Sequence, residues 1–184
     1  MIDSKEAAAA LSDIEDIVRR VRQSQTYNLA SLIMIWWGVL VFAANIATFF
    51  WPWYANYIWP AANIGGVAGT VVIGALLRIQ TRAGAVGGRV VAAYVLFYAF
   101  GYFCCEVLGD FGPRELGAFW PIYFMLFYVL AGLWFGRAFV VLGLAITVLT
   151  LIGYFYVQGG AFLWWMAVVN GCGLLLGGLW MRWN

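Results

Sequence analysis

The chain has 184 residues, of which 65% are hydrophobic and only 10% are charged, and its formal net charge is +2. Soluble domains are nearly half apolar and about a quarter charged, so this composition excludes an ordinary soluble domain and indicates an integral membrane protein. The small net charge also excludes the strongly basic surface that is typical of nucleic-acid binding.

The first 28 residues are rich in charged side chains, and their pattern predicts a short cytoplasmic amphipathic helix. Apolar residues recur there at steps of three, four and three, which is the heptad seam of a helix that packs on another surface. The seam lies either on the bilayer or the protein's own loops, or it docks a partner chain. This docking seam consists of Leu11, Ile14, Val18 and Val21.

Beyond residue 28, six apolar stretches are each long enough to cross a bilayer, which needs about 20 apolar residues in a helix. The last apolar run holds two of them, divided at Val157–Gly160, because adjacent glycines and a glutamine are typical of a turn. We therefore predict an all-α, polytopic membrane helix bundle in which residues 29–184 form six transmembrane helices arranged as three hairpins. The predicted spans are about 29–50, 59–77, 90–108, 116–136, 138–156 and 161–181.

Basic residues predict the orientation of the bundle. With six spans, every Lys and Arg except Arg114 falls on one side of the membrane. Short cytoplasmic loops carry an excess of Lys and Arg, so both termini are predicted to be cytoplasmic, in a plasma (bacterial inner) membrane. The first apolar run begins near residue 29 and is longer than the roughly 7 to 15 residues of a signal-peptide core, so it is expected to remain as an anchor.

The three predicted hairpins resemble one another. The second helix of each begins with a tryptophan motif and ends with an arginine, at Arg78, Arg137 and Arg182. Tryptophan at interfaces and arginine at cytoplasmic ends are common to unrelated spans as well. A true internal repeat and a coincidence of membrane composition therefore both stay open.

Several membrane chemistries are excluded by missing residue types. The chain has no histidine, so histidine-bound haem or metal and histidine proton relays are excluded. The only lysine, Lys5, precedes the first span and cannot form a Schiff base within the bilayer. Cys104, Cys105 and Cys172 lack the spacing of a redox or metal motif and are expected to act as small apolar residues. We predict no metal, no cofactor and no enzymatic activity.

The connection between the third and fourth predicted spans contains the candidate ligand-binding residues. Glu106 lies about one turn inside the outer boundary, where a carboxylate is unfavourable unless it is paired, protonated or facing water. Asp110 follows four residues later on the same helical face, and Arg114 is the natural neutraliser of both carboxylates. One interpretation is a salt-bridged cap. The other is an acidic outer mouth that binds a cation or amine, with Trp59 and Trp120 from an aromatic rim that is also typical of an interfacial belt.

Glycines and polar residues within the spans favour a filled bundle over an open pore. Three pairs of glycines are spaced four residues apart, which permits close approach of helix backbones. All four prolines are predicted in loops or in the first turn of a span, without the helix interruptions of many transporters. The few polar span residues either line a path for a small neutral solute or, as we prefer, hydrogen-bond between helices. The glycine pairs are Gly65 and Gly69, Gly132 and Gly136, and Gly173 and Gly177; the polar residues are Asn45, Thr48, Thr70, Thr147, Thr150 and Asn170.

Two functions stay open at this point. The first is a non-catalytic membrane protein that acts through protein contacts, as a subunit, assembly factor or sensor that docks a partner through its N-terminal helix. The second is a small channel or transporter for a neutral or amine solute, with the acidic, aromatic outer mouth. The expected partners are the lipid bilayer and a protein bound at the docking seam; a homo-oligomer is compatible with both functions, and no nucleic acid is expected.

Overall fold

A computed structural model of the protein describes the backbone of residues 4–77 and 83–183, and the side chains of residues 27–77, 92–134 and 136–183. Within these ranges every regular element is helical and no strand occurs. The prediction of an all-α fold is therefore confirmed for the described part of the chain.

Over residues 4–77 and 83–183, six helices follow one another. A 3₁₀ turn at Pro52–Tyr54 links the first two helices. The last helix contains a π-helical turn over Ala167–Cys172, between α-helical parts at Ala161–Met166 and Gly173–Trp183. The helices are α1 (Ser4–Phe50), α2 (Ala55–Leu76), α3 (Ala83–Leu108), α4 (Pro113–Phe135), α5 (Arg137–Tyr156) and α6 (Ala161–Trp183).

Helix α1 has 47 residues and continues without a break across the boundary that the sequence places after residue 28. At 1.5 Å per residue it is about 70 Å long, roughly twice the thickness of the bilayer core. Its segment Tyr27–Phe50 is the part that is apolar enough to cross a membrane. The side chains of the docking seam, Leu11, Ile14, Val18 and Val21, lie outside the residues whose side chains are described.

Five helices in the described part of the chain are long and apolar enough to cross a membrane, namely the apolar part of α1 together with α2, α4, α5 and α6. The apolar part of α3, Ala92–Leu108, is shorter. The coarse prediction of a helical bundle with several membrane-compatible helices is thus confirmed. The arrangement as six spans in three hairpins stays a prediction.

Helices α2 and α4 begin three or four residues before the predicted spans. Pro113 occupies the first turn of α4, where its missing N–H removes no helical hydrogen bond. As a result, Pro60 and Pro121 lie inside α2 and α4, and the prediction that all prolines lie in loops or first turns was wrong. Each interior proline removes one backbone hydrogen bond from its helix.

The core is built mainly from α1, α4, α5 and α6. The closest helix pairs are α4 with α5, α1 with α6, and α1 with α2, whereas the backbone of α3 lies close to that of α4 at only a few points. Two of the closest pairs, α4–α5 and α1–α6, cross the boundaries between the predicted hairpins. The larger cluster of buried core residues consists of Met34, Met125, Phe139, Ile146, Val169, Leu174 and Met181.

Candidate functional site: the Arg114 end and the buried polar residues

The end of the bundle where α1 and α5 finish and α4 and α6 begin is called here the Arg114 end. Helices α1 and α6 meet there through the rings of Phe49 and Trp164, whose centroids are 5.6 Å apart in an edge-to-face arrangement. The loop before α4 contains Gly109, whose φ of 121° is in the region that favours glycine. The end of α1 and the beginning of α6 therefore lie together at the Arg114 end.

Arg114 fastens α4 to α5 and α6. Its Nη2 atom donates hydrogen bonds to the carbonyl oxygens of Tyr154 and Val157, the latter at 2.6 Å. The guanidinium carbon also lies 5.0 Å from the ring centroid of Phe162 and 5.5 Å from that of Tyr154. The last carbonyl groups of a helix lack intrahelical partners and carry the negative end of its dipole. The Arg114 guanidinium therefore supplies hydrogen-bond donors to carbonyl groups at the C-terminal end of α5, and it packs on Phe162 in the first turn of α6.

This geometry differs from the predicted pairing of Arg114 with carboxylates. The hydrogen bonds of its guanidinium go to backbone oxygens, and the side chains of Glu106 and Asp110 are exposed. Tyr102 lies one turn before Glu106 on α3, and its side chain is likewise exposed. Glu115 lies in the first turn of α4, with its Oε2 atom against Gly112, where the positive end of the helix dipole favours a negative charge.

The two candidate tryptophans serve other contacts. The half-buried ring of Trp120 stacks on Tyr98 at a centroid distance of 4.9 Å and on Phe124 at 6.0 Å, so it belongs to the packing of α3 against α4. Trp59 is half-buried in α2, and its carbonyl oxygen accepts a hydrogen bond from the side-chain amide of Asn63 at 2.8 Å. No described contact joins either ring to Glu106 or Asp110.

Tyr94 is a contact residue that sequence reasoning missed. Its hydroxyl donates to Oδ1 of Asn63 on α2 at 3.1 Å. Its ring lies 6.2 Å from Trp37 on α1 and 6.3 Å from Phe124 on α4. One side chain thus connects α3 to three other helices. The available signal was the spacing of aromatic residues at 94, 97 and 98, which places them along one side of a helix.

The polar residues within the spans mostly satisfy their own helices. Asn45 donates to the Val41 carbonyl at 2.9 Å, and Thr48 donates to the Ala44 carbonyl at 2.7 Å. Thr70 and Thr147 likewise donate to the carbonyl groups four residues earlier, at Gly66 and Gly143. The preferred interpretation as hydrogen bonds between helices was therefore wrong for the donor groups of Asn45, Thr48 and Thr147. The hydroxyl of Thr70 does also accept a bond between helices, from the indole N–H of Trp37 at 3.1 Å.

Two buried polar atoms have no hydrogen-bond partner in the described part of the chain, Oγ1 of Thr150 on α5 and Oδ1 of Asn170 on α6. Thr150 is completely buried, and Asn170 is 3% exposed. Asn170 lies within the π-helical turn, and turns of this kind are frequent at functional sites. Both residues were noticed in the sequence as polar span residues, but neither the π turn nor the missing partners left a sequence signal.

The six predicted packing glycines each lie closest to a residue of another helix. Gly136, which links α4 to α5, has a φ of 136° and so needs the conformational freedom of glycine. The closest backbone contacts between α1 and α6 involve three glycines outside the predicted pairs, Gly38, Gly171 and Gly178. The neighbours of the predicted glycines are Leu40 for Gly65, Trp36 for Gly69, Val140 for Gly132, Tyr27 for Gly136, Ile146 for Gly173 and Leu142 for Gly177.

Comparison with known proteins gives no family assignment. No family model matches the chain, and neither a curated protein nor a solved structure matches it significantly. Function is therefore inferred from the chemistry and geometry of the residues themselves.

Proposed function

We propose that the protein is a non-catalytic integral membrane protein that acts through protein contacts, as a subunit, assembly factor or sensor of a membrane complex. The observation that carries this proposal is the length of α1. One unbroken helix joins residue 4 to the end of the first apolar segment, so a contact near the N-terminus is connected to the membrane bundle through continuous helix backbone.

The contact surface in this proposal is the docking seam, Leu11, Ile14, Val18 and Val21. The heptad spacing of these residues suits a partner helix with its own apolar seam, since coiled-coil contacts place such residues at the centre of the interface. The helical backbone over 4–50 supports this use of the spacing, because a 3.5-residue repeat forms one face only in a helix.

The proposal includes six spans with both termini on the cytoplasmic side of a plasma (bacterial inner) membrane. The distribution of Lys and Arg supports the orientation. The full length of α3, 26 residues, supports a sixth crossing, because about 20 residues suffice to span the hydrocarbon core.

The test is purification of the tagged, full-length protein from its native membrane in a mild detergent, with mass spectrometry of the proteins that accompany it. We expect one stoichiometric partner, reduced at least tenfold when all four residues of the docking seam are replaced by serine. The matched control replaces four residues on the opposite side of the helix, Ala9, Asp16, Arg20 and Gln23, by serine, which leaves the net charge unchanged, and should retain the partner. A wild-type preparation without a partner, or a seam variant with an unchanged partner ratio, would contradict the proposal.

A second candidate function is a small channel or transporter for a neutral or amine solute. The observation that favours it is the exposure of Glu106 and Asp110 together with the engagement of Arg114 elsewhere, which leaves two exposed carboxylates four residues apart in the chain. The test is uptake of radiolabelled methylammonium into proteoliposomes. Uptake by the wild type that falls at least fivefold in the double variant Glu106→Gln, Asp110→Asn, but not in Glu115→Gln, would support this function. Absence of uptake above empty liposomes would exclude it for amines.

A further inference from the structure

The two unpartnered oxygen atoms, Oγ1 of Thr150 and Oδ1 of Asn170, lie at the same level of the contact between α5 and α6. Gly153 of α5 lies against Trp165 of α6, and Ile146 of α5 lies 3.2 Å from the position that a Cβ would occupy on Gly173. The helices are antiparallel, so Thr150, three of the seven residues along from Gly153 to Ile146, lies level with Val168 and Val169, one to two residues before Asn170. Ile146, Thr150 and Gly153 are spaced by four and three residues and so share the side of α5 that faces α6.

The side-chain amide of Asn170 is held in one orientation. Its Nδ2 atom donates to the Met166 carbonyl at 3.3 Å and lies 3.7 Å from the Met166 sulfur. A carbonyl oxygen accepts only from a donor, so the nitrogen must occupy that side of the amide. The Oδ1 atom of Asn170 is therefore directed away from the carbonyl of its own helix, as an acceptor that only a donor can satisfy.

Thr150 differs from the other threonines of the spans. Thr48 and Thr147 donate to carbonyl groups four residues earlier in their own helices. The Thr150 hydroxyl makes no such bond, although the residue is completely buried. A buried polar group without a partner is strongly unfavourable, and nearly all such groups in folded proteins bond to protein or to an ordered water. Each of the two groups therefore retains the capacity for one further hydrogen bond.

The charges around the pair select the chemistry of that molecule. Helices α5 and α6 contain no acidic residue, so no carboxylate on either helix compensates a bound cation. The positively charged Arg114 packs on Phe162, which shares a core cluster with Met166, the residue that holds the Asn170 amide. An anion is excluded because the Asn170 oxygen is itself an acceptor. What remains is a neutral molecule that donates to Asn170 and bonds to the Thr150 hydroxyl.

We infer that Thr150 and Asn170 form a binding site, at the π turn of α6, for one small neutral hydrogen-bond donor of the size of water. The neighbouring core residues Ile146, Met166 and Val169 are all buried, which restricts the site to a molecule of a few atoms. Ordered internal water commonly occupies sites with two to four polar partners. The inference is independent of the proposed contact function.

The first test is the sign of a stability change. Thr150→Val keeps the shape of the side chain and removes the hydroxyl. If the site is dry, this variant relieves an unpartnered group and raises the Tm; if the site is occupied, it removes a partner of the bound molecule and lowers the Tm. We expect a decrease of several degrees for the full-length protein in detergent. Thr147→Val, whose hydroxyl has a partner in its own helix, is the matched control and should have the smaller effect.

The second test is direct observation of the bound molecule. A high-resolution structure of the full-length protein should show one density peak within hydrogen-bonding distance of Thr150 Oγ1 and Asn170 Oδ1. Thr150→Ser, which retains the hydroxyl but loses a buried methyl group, should keep the peak. An increase in Tm for Thr150→Val, a site without density, or a peak at the short distances of a coordinated metal ion would each overturn the inference.

Discussion

The contact between α1 and α6 and the contact between α3 and α4 represent two ways of packing helices in the same molecule. In the first, backbone lies against backbone. A Cβ on Gly171 would lie 2.8 Å from the Cα of Phe42, and one on Gly178 would lie 2.7 Å from the Ser31 carbonyl oxygen. In the second, the backbones stay apart and rings fill the space, as for Phe97 and Tyr123, whose centroids are 4.1 Å apart.

The two contacts differ in how well they can accommodate one added or removed side-chain atom. Lipid tails are as apolar as the helix surfaces, so helices in a bilayer associate through van der Waals packing and hydrogen bonds. A contact between backbones has no side chain that can move aside, whereas stacked rings can shift. Helix α3 also leaves much of its surface uncovered: Val107 is 82% exposed and Leu96 is 69% exposed. We therefore expect a rigid α1–α6 pair and a more adaptable α3.

The largest expected effect comes from adding one methyl group to the α1–α6 contact. Gly171→Ala should lower the free energy of unfolding by about 3 kcal/mol, because the new Cβ meets the backbone of Phe42. The measurement is reversible unfolding in mixed micelles. The control is Gly74→Ala in α2, which would meet no heavy atom within 4 Å and should be neutral or stabilising by about 0.5 to 1 kcal/mol. Equal effects of the two substitutions would mean that the close α1–α6 approach does not contribute to stability.

Loss of the Arg114 cation should have the next largest effect. Arg114→Met removes the hydrogen bonds to Tyr154 and Val157 and should destabilise the protein by about 2 kcal/mol, the scale of a hydrogen bond to a charged group. Hydrogen exchange should accelerate in the last turn of α5. Arg114→Lys keeps the charge but not the planar fork, so an intermediate loss is expected. Slower or unchanged exchange in that turn would show that the carbonyl groups do not depend on Arg114.

Loss of one ring from the α3–α4 contact should have the smallest effect. Trp120→Leu removes the stacking on Tyr98 and should destabilise by about 1 kcal/mol. Hydrogen exchange should increase in α3 and stay constant in the α1–α6 pair. Trp134→Leu, at a residue that is 78% exposed, is the matched control. Global destabilisation by Trp120→Leu, as large as that of Gly171→Ala, would remove the distinction between the two contacts.

The coarse fold could be predicted because a helix that crosses the apolar core of a bilayer needs about 20 consecutive apolar residues, and such runs are visible in the sequence. The continuity of α1 could not. Polar residues just before Tyr27 resemble a connection, yet an existing helix gains a hydrogen bond with each added residue and therefore extends through them.

The hydrogen-bond partners of Arg114 and the missing partner of Asn170 could not be predicted from the sequence either. Arg114 was assigned to carboxylates because those are visible in the sequence. Every residue carries a backbone carbonyl group, so the sequence does not mark which ones a cation will bind. The bonds of Arg114 to Tyr154 and Val157 depend on where α5 ends and how α5 lies beside α4. The missing partner of Asn170 Oδ1 depends on the π turn, which follows from packing and not from residue types.

The unbroken course of α1 also makes it a lever. Residues 4–26 extend about 35 Å beyond Tyr27 at the helical rise per residue. A tilt of about 10° about Tyr27 therefore moves the N-terminal end sideways by about 6 Å, a displacement much larger than the movement within the bundle that causes it. A small rearrangement between α1 and α6 is in this way magnified at the far end of the helix.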